Sequence, residues 1–280
     1  MEEILLVGGD KRRTSLAKYL EDKGFSVIKI LPGEGNTFEL KEKLEKAKLV
    51  VLPVPVMSDE YIFAPLSERE LKARDLVDLL HPNLLLLGGR MTKDFMEMLD
   101  EKKIRYIDYY NREELSVYNA IPTAEGAVRI AMQEMPVTIH GTKILIIGFG
   151  RVGKVCADRF SAMGADVTVA ARSIKDRAWV DSFKMKATEI KDIEHTIEKV
   201  DLVINTVPAL VLNRNILEHV KKDCLIIDLA SKPGGVDFAA SAEMGIKTIW
   251  ALSLPGKEAP VTAGSILGDA IYNIIREIGK

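Results

Sequence analysis

The pattern of hydrophobic and polar positions divides the chain into two series of alternating strands and helices. In the first series, short apolar runs alternate with segments whose apolar residues recur at helical spacing. The predicted strands are Ile4–Gly9, Ser26–Ile30, Lys48–Val54, Asn83–Gly89 and Arg105–Tyr109. The predicted helices are Thr14–Lys23, Phe38–Lys46, Ser67–Leu80 and Thr92–Lys102. This alternation predicts a parallel sheet with helices on both faces.

The second series begins at Lys143. Its predicted strands are Lys143–Gly148, Asp166–Ala171, Leu202–Val207, Leu225–Ala230 and Thr248–Leu252. Its predicted helices are Arg151–Met163, Lys175–Phe183, Asp192–Lys199, Arg214–Val220 and Val236–Met244. The predicted fold class is therefore α/β, with two Rossmann-like domains of parallel sheets joined by interdomain helices.

Two further helices are predicted outside these series. In the first, Pro122 suits the first turn, Thr123 suits the cap, and Pro136 ends the helix. The second runs from about Thr262 to Ile278, carries an apolar stripe, and is expected to return to the first domain. The predicted organisation is an N-terminal domain at 1–120, a connector helix at 121–136, a second domain at 137–258 and a C-terminal helix at 259–280.

The strongest chemical signal is the glycine loop Gly148-Phe149-Gly150-Arg151-Val152-Gly153, which ends a strand and opens a helix. Gly148 suits the tight turn, Gly150 lets a pyrophosphate approach the backbone, and Gly153 permits close packing of helix on strand. The helix N-terminus offers free N–H groups to the phosphates. The loop predicts a dinucleotide site formed by these six residues, against the alternative of a glycine-rich turn without a ligand.

The end of the next strand indicates which dinucleotide binds. NAD-selective domains carry Asp or Glu there, whereas this chain has Arg172 and Ser173. Arg172 suits a 2′-phosphate and Ser173 can donate a hydrogen bond, so NADP is predicted over NAD. The alternative for Arg172 is a solvated surface arginine. In the first domain, the turn at Gly8–Asp10 lacks the third glycine, which favours a substrate or subunit-contact role over a second nucleotide site.

Three later strand ends add candidates. Thr206, Val207 and Pro208 are predicted to lie against the cofactor, with an ordinary turn as the alternative. Lys232 and Lys257 each follow a strand in a loop rich in proline and glycine, where they can bind carboxylates or polarise an oxygen. Solvated loop lysines are the alternative.

Composition excludes several classes. The 39 basic and 41 acidic residues leave a net charge of −2, which gives no field for nucleic acid. No apolar run is long enough to span a membrane, and the N-terminus runs straight into a strand, so a cytoplasmic location is expected. Cys156 and Cys224 lack metal spacing and are expected to be buried free thiols. No metal cluster, Walker loop or Ser-His-Asp arrangement is predicted.

Taken together, four motifs resemble those of the dipicolinate synthase A subunit family. They are Asn119–Ala127, Gly148–Gly153, Asp228–Gly235 and Leu252–Lys257. The resemblance covers nearly the whole chain and implies NADP-dependent oxidation of dihydrodipicolinate, or its hydrated precursor from the lysine pathway, to dipicolinate. It also implies a flavoprotein-like partner, the B subunit of dipicolinate synthase, in the mother cell of sporulating bacteria. D-2-hydroxyacid dehydrogenases share the layout, but no counterpart of their catalytic histidine–acid pair is found.

The dianionic substrate implied by this resemblance calls for cations or N–H donors. The expected substrate-binding residues are Arg90, Asn119, Thr123, Ser231, Lys232 and Lys257. Lys232, Lys257 and Glu125 are the catalytic candidates, with Glu125 as a base or, alternatively, a residue favoured in a first helical turn. A regulatory or scaffold subunit with bound nucleotide, and another two-domain dehydrogenase, remain open as alternatives, and so does assembly into a homo-oligomer.

Overall fold

The computed structural model describes residues 3–32 and 37–279. The chain divides into two compact units. Unit 1 comprises Met1–Asn119 with Ala259–Lys280, and unit 2 comprises Ala120–Glu258. Each unit is an α/β structure built on a parallel sheet, which confirms the predicted fold class.

Unit 1 has a five-stranded parallel sheet in the order β2-β1-β3-β6-β7, and a separate antiparallel pair, β4-β5. Its strands are β1 (Glu3–Val7), β2 (Ser26–Ile30), β3 (Leu49–Val51), β4 (Met57–Ser58), β5 (Tyr61–Ile62), β6 (Leu85–Gly88) and β7 (Arg105–Asp108). Its first helices are α1 (Arg12–Asp22), α2 (Thr37–Lys46), α3 (Ala73–Leu79) and α4 (Lys93–Glu101), and a 3₁₀ turn follows at Tyr109–Asn111. Both sheet faces are covered, because alternate residues of β1 enter different hydrophobic clusters.

The helix predicted at Ser67–Leu80 is wrong over its first six residues. The backbone N–H of Ile62 donates to the carbonyl of Leu71, 2.8 Å away, and Lys72 forms a bridge with Tyr61. The backbone is extended at Lys72, so α3 begins only at Ala73. Apolar spacing alone does not distinguish a helical turn from a segment held extended by a distant strand.

Helix α5 (Glu113–Glu134) is longer than the predicted connector. It begins upstream of Asn119, and Pro122 lies in its interior, so the prediction that Pro122 opens the helix and Thr123 caps it is wrong. An interior proline removes one backbone hydrogen bond and normally disfavours a helix. Here tertiary packing outweighs that penalty, because Ala120 and Ala124 on either side of Pro122 are buried.

Unit 2 has a six-stranded parallel sheet in the order β10-β9-β8-β11-β12-β13. Its strands are β8 (Lys143–Ile147), β9 (Asp166–Ala170), β10 (Lys186–Thr188), β11 (Leu202–Asn205), β12 (Leu225–Asp228) and β13 (Lys247–Trp250). Its helices are α6 (Arg151–Ala162), α7 (Ile174–Ser182), α8 (Glu194–Ile197), α9 (Arg214–Leu217), α10 (Phe238–Glu243) and α11 (Leu254–Glu258), with a 3₁₀ turn at Ile190–Asp192. The strand order reverses between β8 and β11, and ligands of such sheets bind at that point, outside the carboxyl ends of the strands.

The C-terminal helix α12 (Pro260–Ile278) packs on α1 within unit 1. Two glycines of α12 allow the close approach, because a Cβ atom on Gly264 would overlap the carbonyl oxygen of Arg12, and one on Gly268 would lie 2.8 Å from the ring of Tyr19. The Tyr19 hydroxyl donates to Asp269 at 2.6 Å. This packing forms one face of the unit 1 core.

Candidate dinucleotide-binding site

The glycine loop of unit 2 has the geometry that a phosphate-binding turn requires. Gly148 follows β8 with φ of +98°, a conformation that side chains rarely adopt, and a Cβ atom there would overlap the hydroxyl of Thr206. A Cβ atom on Gly153 would overlap the carbonyl oxygen of Gly148. At Gly150, by contrast, a Cβ atom would meet no heavy atom within 4 Å. The loop is therefore closed where helix meets strand and open where a pyrophosphate would approach.

Helix α6 begins directly from this open position. Gly150 is its N-cap, and no side chain of the described residues caps it. The first N–H groups of the helix, beginning at Arg151 and Val152, therefore lie next to the open space, with the positive end of the helix dipole behind them. Phe149 is buried beneath the loop, and the ammonium of Lys154 lies 5.4 Å from the centre of its ring.

The loop after β9 carries Arg172 and Ser173, the two residues that the sequence predicts to select NADP over NAD. Arg172 is exposed and no carboxylate stands at this strand end. The Arg177 guanidinium donates to the carbonyl oxygens of Ala171 and Arg172, both at 3.1 Å, and pairs with Glu189 at 2.8 Å. These contacts hold the backbone that carries Arg172.

Ser173 has a structural partner as well as its predicted role. It caps α7, accepting from the Asp176 N–H at 3.0 Å, and its hydroxyl donates to the Asp176 carboxylate at 2.7 Å. The hydroxyl must therefore turn away from Asp176 to donate to a phosphate. The exposed guanidinium of Arg172 is the stronger of the two candidates for a 2′-phosphate contact.

The loop after β11 lies directly beneath the glycine turn. The Thr206 hydroxyl donates to the carbonyl oxygen of Ile147 at 2.9 Å, and a Cβ atom on Gly148 would lie 2.9 Å from a Val207 methyl carbon. Thr206 and Val207 are thus fixed next to the turn, and Pro208 follows them at the same edge of the sheet. The side chains predicted to lie against the cofactor are brought together here.

The loop after β12 presents the first candidate lysine. Ser231, Lys232 and Pro233 are exposed, whereas Gly234 and Gly235 are buried beneath them. The turn is closed by a hydrogen bond from the Gly234 N–H to the Ser231 carbonyl at 2.9 Å. Ser231 and Lys232 therefore project from the same carboxyl edge of the sheet as the glycine loop.

Lys257 does not lie in a loop, as predicted, but in the short helix α11. Its side chain is exposed, and the next residue, Glu258, accepts a hydrogen bond from Arg129 of α5 at 2.8 Å. Gly126 allows this packing, because a Cβ atom there would already touch Leu254 and Glu258. The sequence did not predict this short helix, because proline and glycine within it are typical of loops.

Glu125 is placed on the flank of unit 2 rather than at the carboxyl edge. Its carboxylate lies 3.9 Å from the Arg159 guanidinium, and its side chain is 60% exposed. Arg159 lies eight residues along α6 from Arg151, or about 12 Å from the N-terminus of that helix. The structure thus places Glu125 in a long, exposed ion pair, and its catalytic role stays a prediction. Thr123 is half-buried on the same helix, α5.

Two of the expected substrate residues belong to unit 1. Arg90 follows β6 with φ of +54°, and its backbone N–H donates to Asp108 at 3.0 Å. The Asp108 carboxylate also accepts from the N–H groups of Met91 and Tyr110, both at 2.8 Å, so the turn that carries Arg90 is held firmly. The Arg90 guanidinium lies 5.7 Å from the centre of the Tyr110 ring. Asn119 is half-buried in α5.

Sequence reasoning missed the buried polar pair Asn205 and Asp228. These residues end β11 and β12, lie opposite each other in the register, and are hydrogen-bonded at 2.7 Å. Both are fully buried. The available signal was a polar residue closing each of two apolar strands, at the strand ends where functional side chains concentrate.

Burial raises the pKa of the thiol of Cys156 to about 12 and, in the same way, that of Cys224 to about 12. Both cysteines are free and buried. Among residues 3–32 and 37–279, no group of three or more histidine, cysteine, aspartate or glutamate side chains is placed to hold a metal ion. Within the same ranges, no helix is both long enough and apolar enough to cross a membrane.

Comparison with known proteins places each part of the chain. Residues 3–110 match the sequence model of the N-terminal domain of the dipicolinate synthase A subunit. Residues 121–232 match that of the D-isomer specific 2-hydroxyacid dehydrogenase NAD binding domain. The class defined by fold and site is therefore that of dehydrogenase-type oxidoreductases with a nicotinamide dinucleotide-binding domain.

Three relatives are similar to the chain over nearly its whole length. The A subunit of dipicolinate synthase from Bacillus subtilis (strain 168) is 29% identical, over 99% of this chain and 96% of its own. The crystal structure of the A subunit from Bacillus halodurans matches with a TM-score of 0.87 at 28% identity, covering 98% of this chain and 97% of that one. The crystal structure of the A subunit from Bacillus subtilis gives a TM-score of 0.87 at 27% identity, covering 99% and 97%. This similarity, which extends over nearly the whole chain, confirms the resemblance of its motifs to those of the dipicolinate synthase A subunit family.

Proposed function

We propose that this protein is an NADP-dependent dehydrogenase that oxidises dihydrodipicolinate, or its hydrated precursor, to dipicolinate. The observation that carries the proposal is the dinucleotide site of unit 2, where an open glycine turn is followed by Arg172 in the position of an acidic residue. The names of the relatives support the choice of substrate. Arg90, Asn119, Thr123, Ser231, Lys232 and Lys257 are the proposed substrate-binding residues.

The residues present fit a nicotinamide dinucleotide. The space in front of Gly150 and the uncapped N-terminus of α6 suit a pyrophosphate, and the exposed Arg172 suits a 2′-phosphate. When bound, NADP⁺ supplies the carbon that accepts a hydride. The chain's own contribution is to position the reactants, which is what hydride transfer chiefly requires.

The reaction balances as dihydrodipicolinate and NADP⁺ giving dipicolinate, NADPH and one proton, with loss of water as well if the hydrated form enters. Lys232 and Lys257 are proposed to hold substrate carboxylates through charge-assisted hydrogen bonds. Arg159 lies 2.7 Å from Asp158 and 3.9 Å from Glu125, so Glu125 is not tied up by this arginine. Glu125 and water are the two proton acceptors of this proposal.

The proposed partner and cellular location of the protein follow from its similarity to the same relatives. Because the relatives are designated the A subunit of their enzyme, a B subunit, flavoprotein-like in the family, is the proposed partner of this chain. Dipicolinate production further supports a role in sporulation, in the cytoplasm of the mother cell.

The direct test uses the purified chain with NADP⁺ and freshly generated dihydrodipicolinate. We expect the absorbance bands of NADPH and dipicolinate to grow together. If the bands grow only after addition of the B subunit, the alternative of a nucleotide-binding scaffold is favoured. Lys232 and Lys257 are exposed, which is compatible with contact to such a partner. No reaction in either case would refute the proposed activity.

A second test addresses the cofactor. Arg172→Ala removes the proposed 2′-phosphate contact, and we expect the dissociation constant for NADPH to rise about 10–100-fold, with that for NADH nearly unchanged. Arg276→Ala, the same exchange at an exposed position of unit 1, serves as the matched control. Equal effects of Arg172→Ala on the two cofactors would contradict NADP selectivity by this residue.

A further inference from the structure

Two buried polar side chains of unit 2 lie between the glycine turn and the loop after β12 that carries Lys232, here called the lysine loop. Asn205 and Asp228 are the last residues of neighbouring strands, and both are fully buried. The Asn205 amide donates to the Asp228 carboxylate at 2.7 Å. Burial of a carboxylate is costly unless its oxygens accept several hydrogen bonds, so the partners of this pair define what it does.

Asp228 holds both ends of the loop that carries Lys232. One carboxylate oxygen accepts from the backbone N–H of Ala230 at 3.0 Å, and the other accepts from that of Gly235 at 2.8 Å. Both ends of the loop are therefore hydrogen-bonded to the same carboxylate. The indole of Trp250 donates to the Ala230 carbonyl at 2.9 Å and stacks on Phe238, which fixes the entering strand end from the other side.

Asn205 holds the loop after β11, which lies next to the glycine turn. Its amide nitrogen donates to the Val207 carbonyl at 3.0 Å, and its amide oxygen accepts from the Val207 N–H at 3.2 Å. Thr206, between them, lies beneath Gly148 of the glycine turn. A Cβ atom on Gly235 would overlap the Asn205 amide, so the two loops meet at this pair without spare room.

The donor and acceptor directions make the pair specific. Both hydrogens of the Asn205 amide are donated, and each Asp228 oxygen accepts at least one N–H. Asp228→Asn keeps the shape but replaces one acceptor by a donor, which then faces the Gly235 N–H or the donors on the other side. A buried donor facing a donor cannot be satisfied. If the side chain served only to fill space, this exchange would have no effect, because aspartate and asparagine have nearly the same shape.

We propose that Asn205 and Asp228 are a positioning pair. The pair links the loop after β11, which lies beside the glycine turn, to the lysine loop, and it sets the position of Lys232 for a substrate carboxylate. The proposal rests on the proposed function for the identity of that substrate. Neither side chain need touch the substrate, since Asp228 acts through the loop that it holds.

The test is a double-mutant cycle of Asp228→Asn with Lys232→Ala, measured on the dissociation constant for dipicolinate and on KM and kcat. If Asp228 acts through Lys232, Asp228→Asn alone raises KM and the dipicolinate dissociation constant about 10-fold, but adds less than about 3-fold once Lys232 is alanine. The dissociation constant for NADPH stays within about 3-fold of wild type, because the glycine turn is intact. Additive effects in the cycle, or unchanged KM with lowered stability only, would overturn the proposal.

The matched control is Asp201→Asn. Asp201 also accepts a backbone N–H, that of Lys143 at 3.0 Å, but it precedes β11, at the opposite edge of the sheet. We expect this variant to keep wild-type KM. Should Asp228→Asn not fold, Asn205→Ala replaces it in the cycle, because it removes the amide hydrogen bond that orients the Asp228 carboxylate.

Hydrogen exchange separates this proposal from the proposed function. The N–H groups of Ala230 and Gly235 should exchange at least about 10-fold faster in Asp228→Asn and at the wild-type rate in Asp201→Asn, whatever the substrate is. Unchanged exchange would overturn the positioning role even in an active enzyme. A wild-type chain that neither turns over dihydrodipicolinate nor binds dipicolinate would refute the proposed function, while the exchange rates would still decide whether the pair holds the loop.

Discussion

Two glycines of one loop should respond in opposite ways to the same added methyl group. At Gly150 a Cβ atom would point into open space, and the backbone φ of −76° suits any residue. At Gly153 the same atom would lie 2.9 Å from the carbonyl carbon of Gly148 and closer still to its oxygen. Exchange to alanine at these two positions therefore separates ligand binding from folding.

For Gly150→Ala, stability should hardly change. Alanine is a poorer N-cap than glycine by about 0.5–1 kcal/mol, but it reduces the freedom of the unfolded chain by a similar amount. We expect Tm within about 3 °C of wild type. The methyl group occupies the space through which the pyrophosphate approaches, and the loss of one charge-assisted hydrogen bond, about 1.5–3 kcal/mol, raises the NADPH dissociation constant about 10–100-fold.

For Gly153→Ala, the loss should appear first in the fold. The overlap with the Gly148 carbonyl is with backbone and cannot be relieved by a side-chain rotation. Overpacking of this kind costs about 1–3 kcal/mol, which lowers Tm by about 3–10 °C. Because the helix must move away from the strand, NADPH binding weakens as well.

The assays are thermal unfolding without ligand and titration with NADPH by fluorescence. Ser161→Ala, near the other end of α6, is the control and should change neither quantity. The reasoning would be refuted by Gly150→Ala binding NADPH as tightly as wild type. It would also be refuted by a Gly153→Ala variant with unchanged Tm.

Two further predictions concern stability. Gly264→Ala places a methyl group against the backbone of Arg12 and should destabilise unit 1 by about 1–3 kcal/mol in urea unfolding, whereas Ser265→Ala should cost less than about 0.5 kcal/mol; equal effects would show that close approach of α12 to α1 is not needed. Burial raises the pKa of the Cys156 thiol from 9.0 to about 12, so between these values the unfolded chain loses a proton that the folded chain keeps. Stability therefore falls as pH rises through this range, by up to about 1.4 kcal/mol per pH unit from this group. Cys156→Ala should flatten the measured slope by that amount, and an unchanged slope would contradict the assignment.

The elements that sequence predicted well are those whose signal is local. Strand β8 and helix α6 match their predicted bounds to within one residue, because an apolar run, a glycine turn and a helical stripe follow one another directly. The turn chemistry of Gly148 and Gly153 is also local, since each glycine is required by atoms of the same turn or of the strand beside it.

The errors have a common physical origin in contacts between distant segments. Residues before Ala73 have helical spacing but are held extended by hydrogen bonds to β5. Pro122 is a helix-breaking residue that stays within α5 because its neighbours are buried in tertiary contacts. Local propensity is weak compared with the burial of a whole helix face.

The candidate site shows the same division. Sequence made Arg172 a candidate for the 2′-phosphate contact, because the residue type at that strand end differs between NAD and NADP sites, and this role stays a prediction. It did not identify what holds Arg172, since Arg177 and Glu189 reach that loop from two different elements. It made Glu125 a catalytic candidate, and did not show that the Glu125 carboxylate lies 3.9 Å from Arg159 of another helix.

The sequence by itself determined the α/β class, the dinucleotide turn and the absence of an acidic residue at the end of β9. These features depend on side-chain period and turn geometry over a few residues. Only the tertiary structure decided that Asn205 meets Asp228, because their contact depends on the register of two strands whose paired residues are 23 positions apart. A pattern along the chain does not encode that register, and hydrogen-bond direction between buried groups becomes defined only once the strands are side by side.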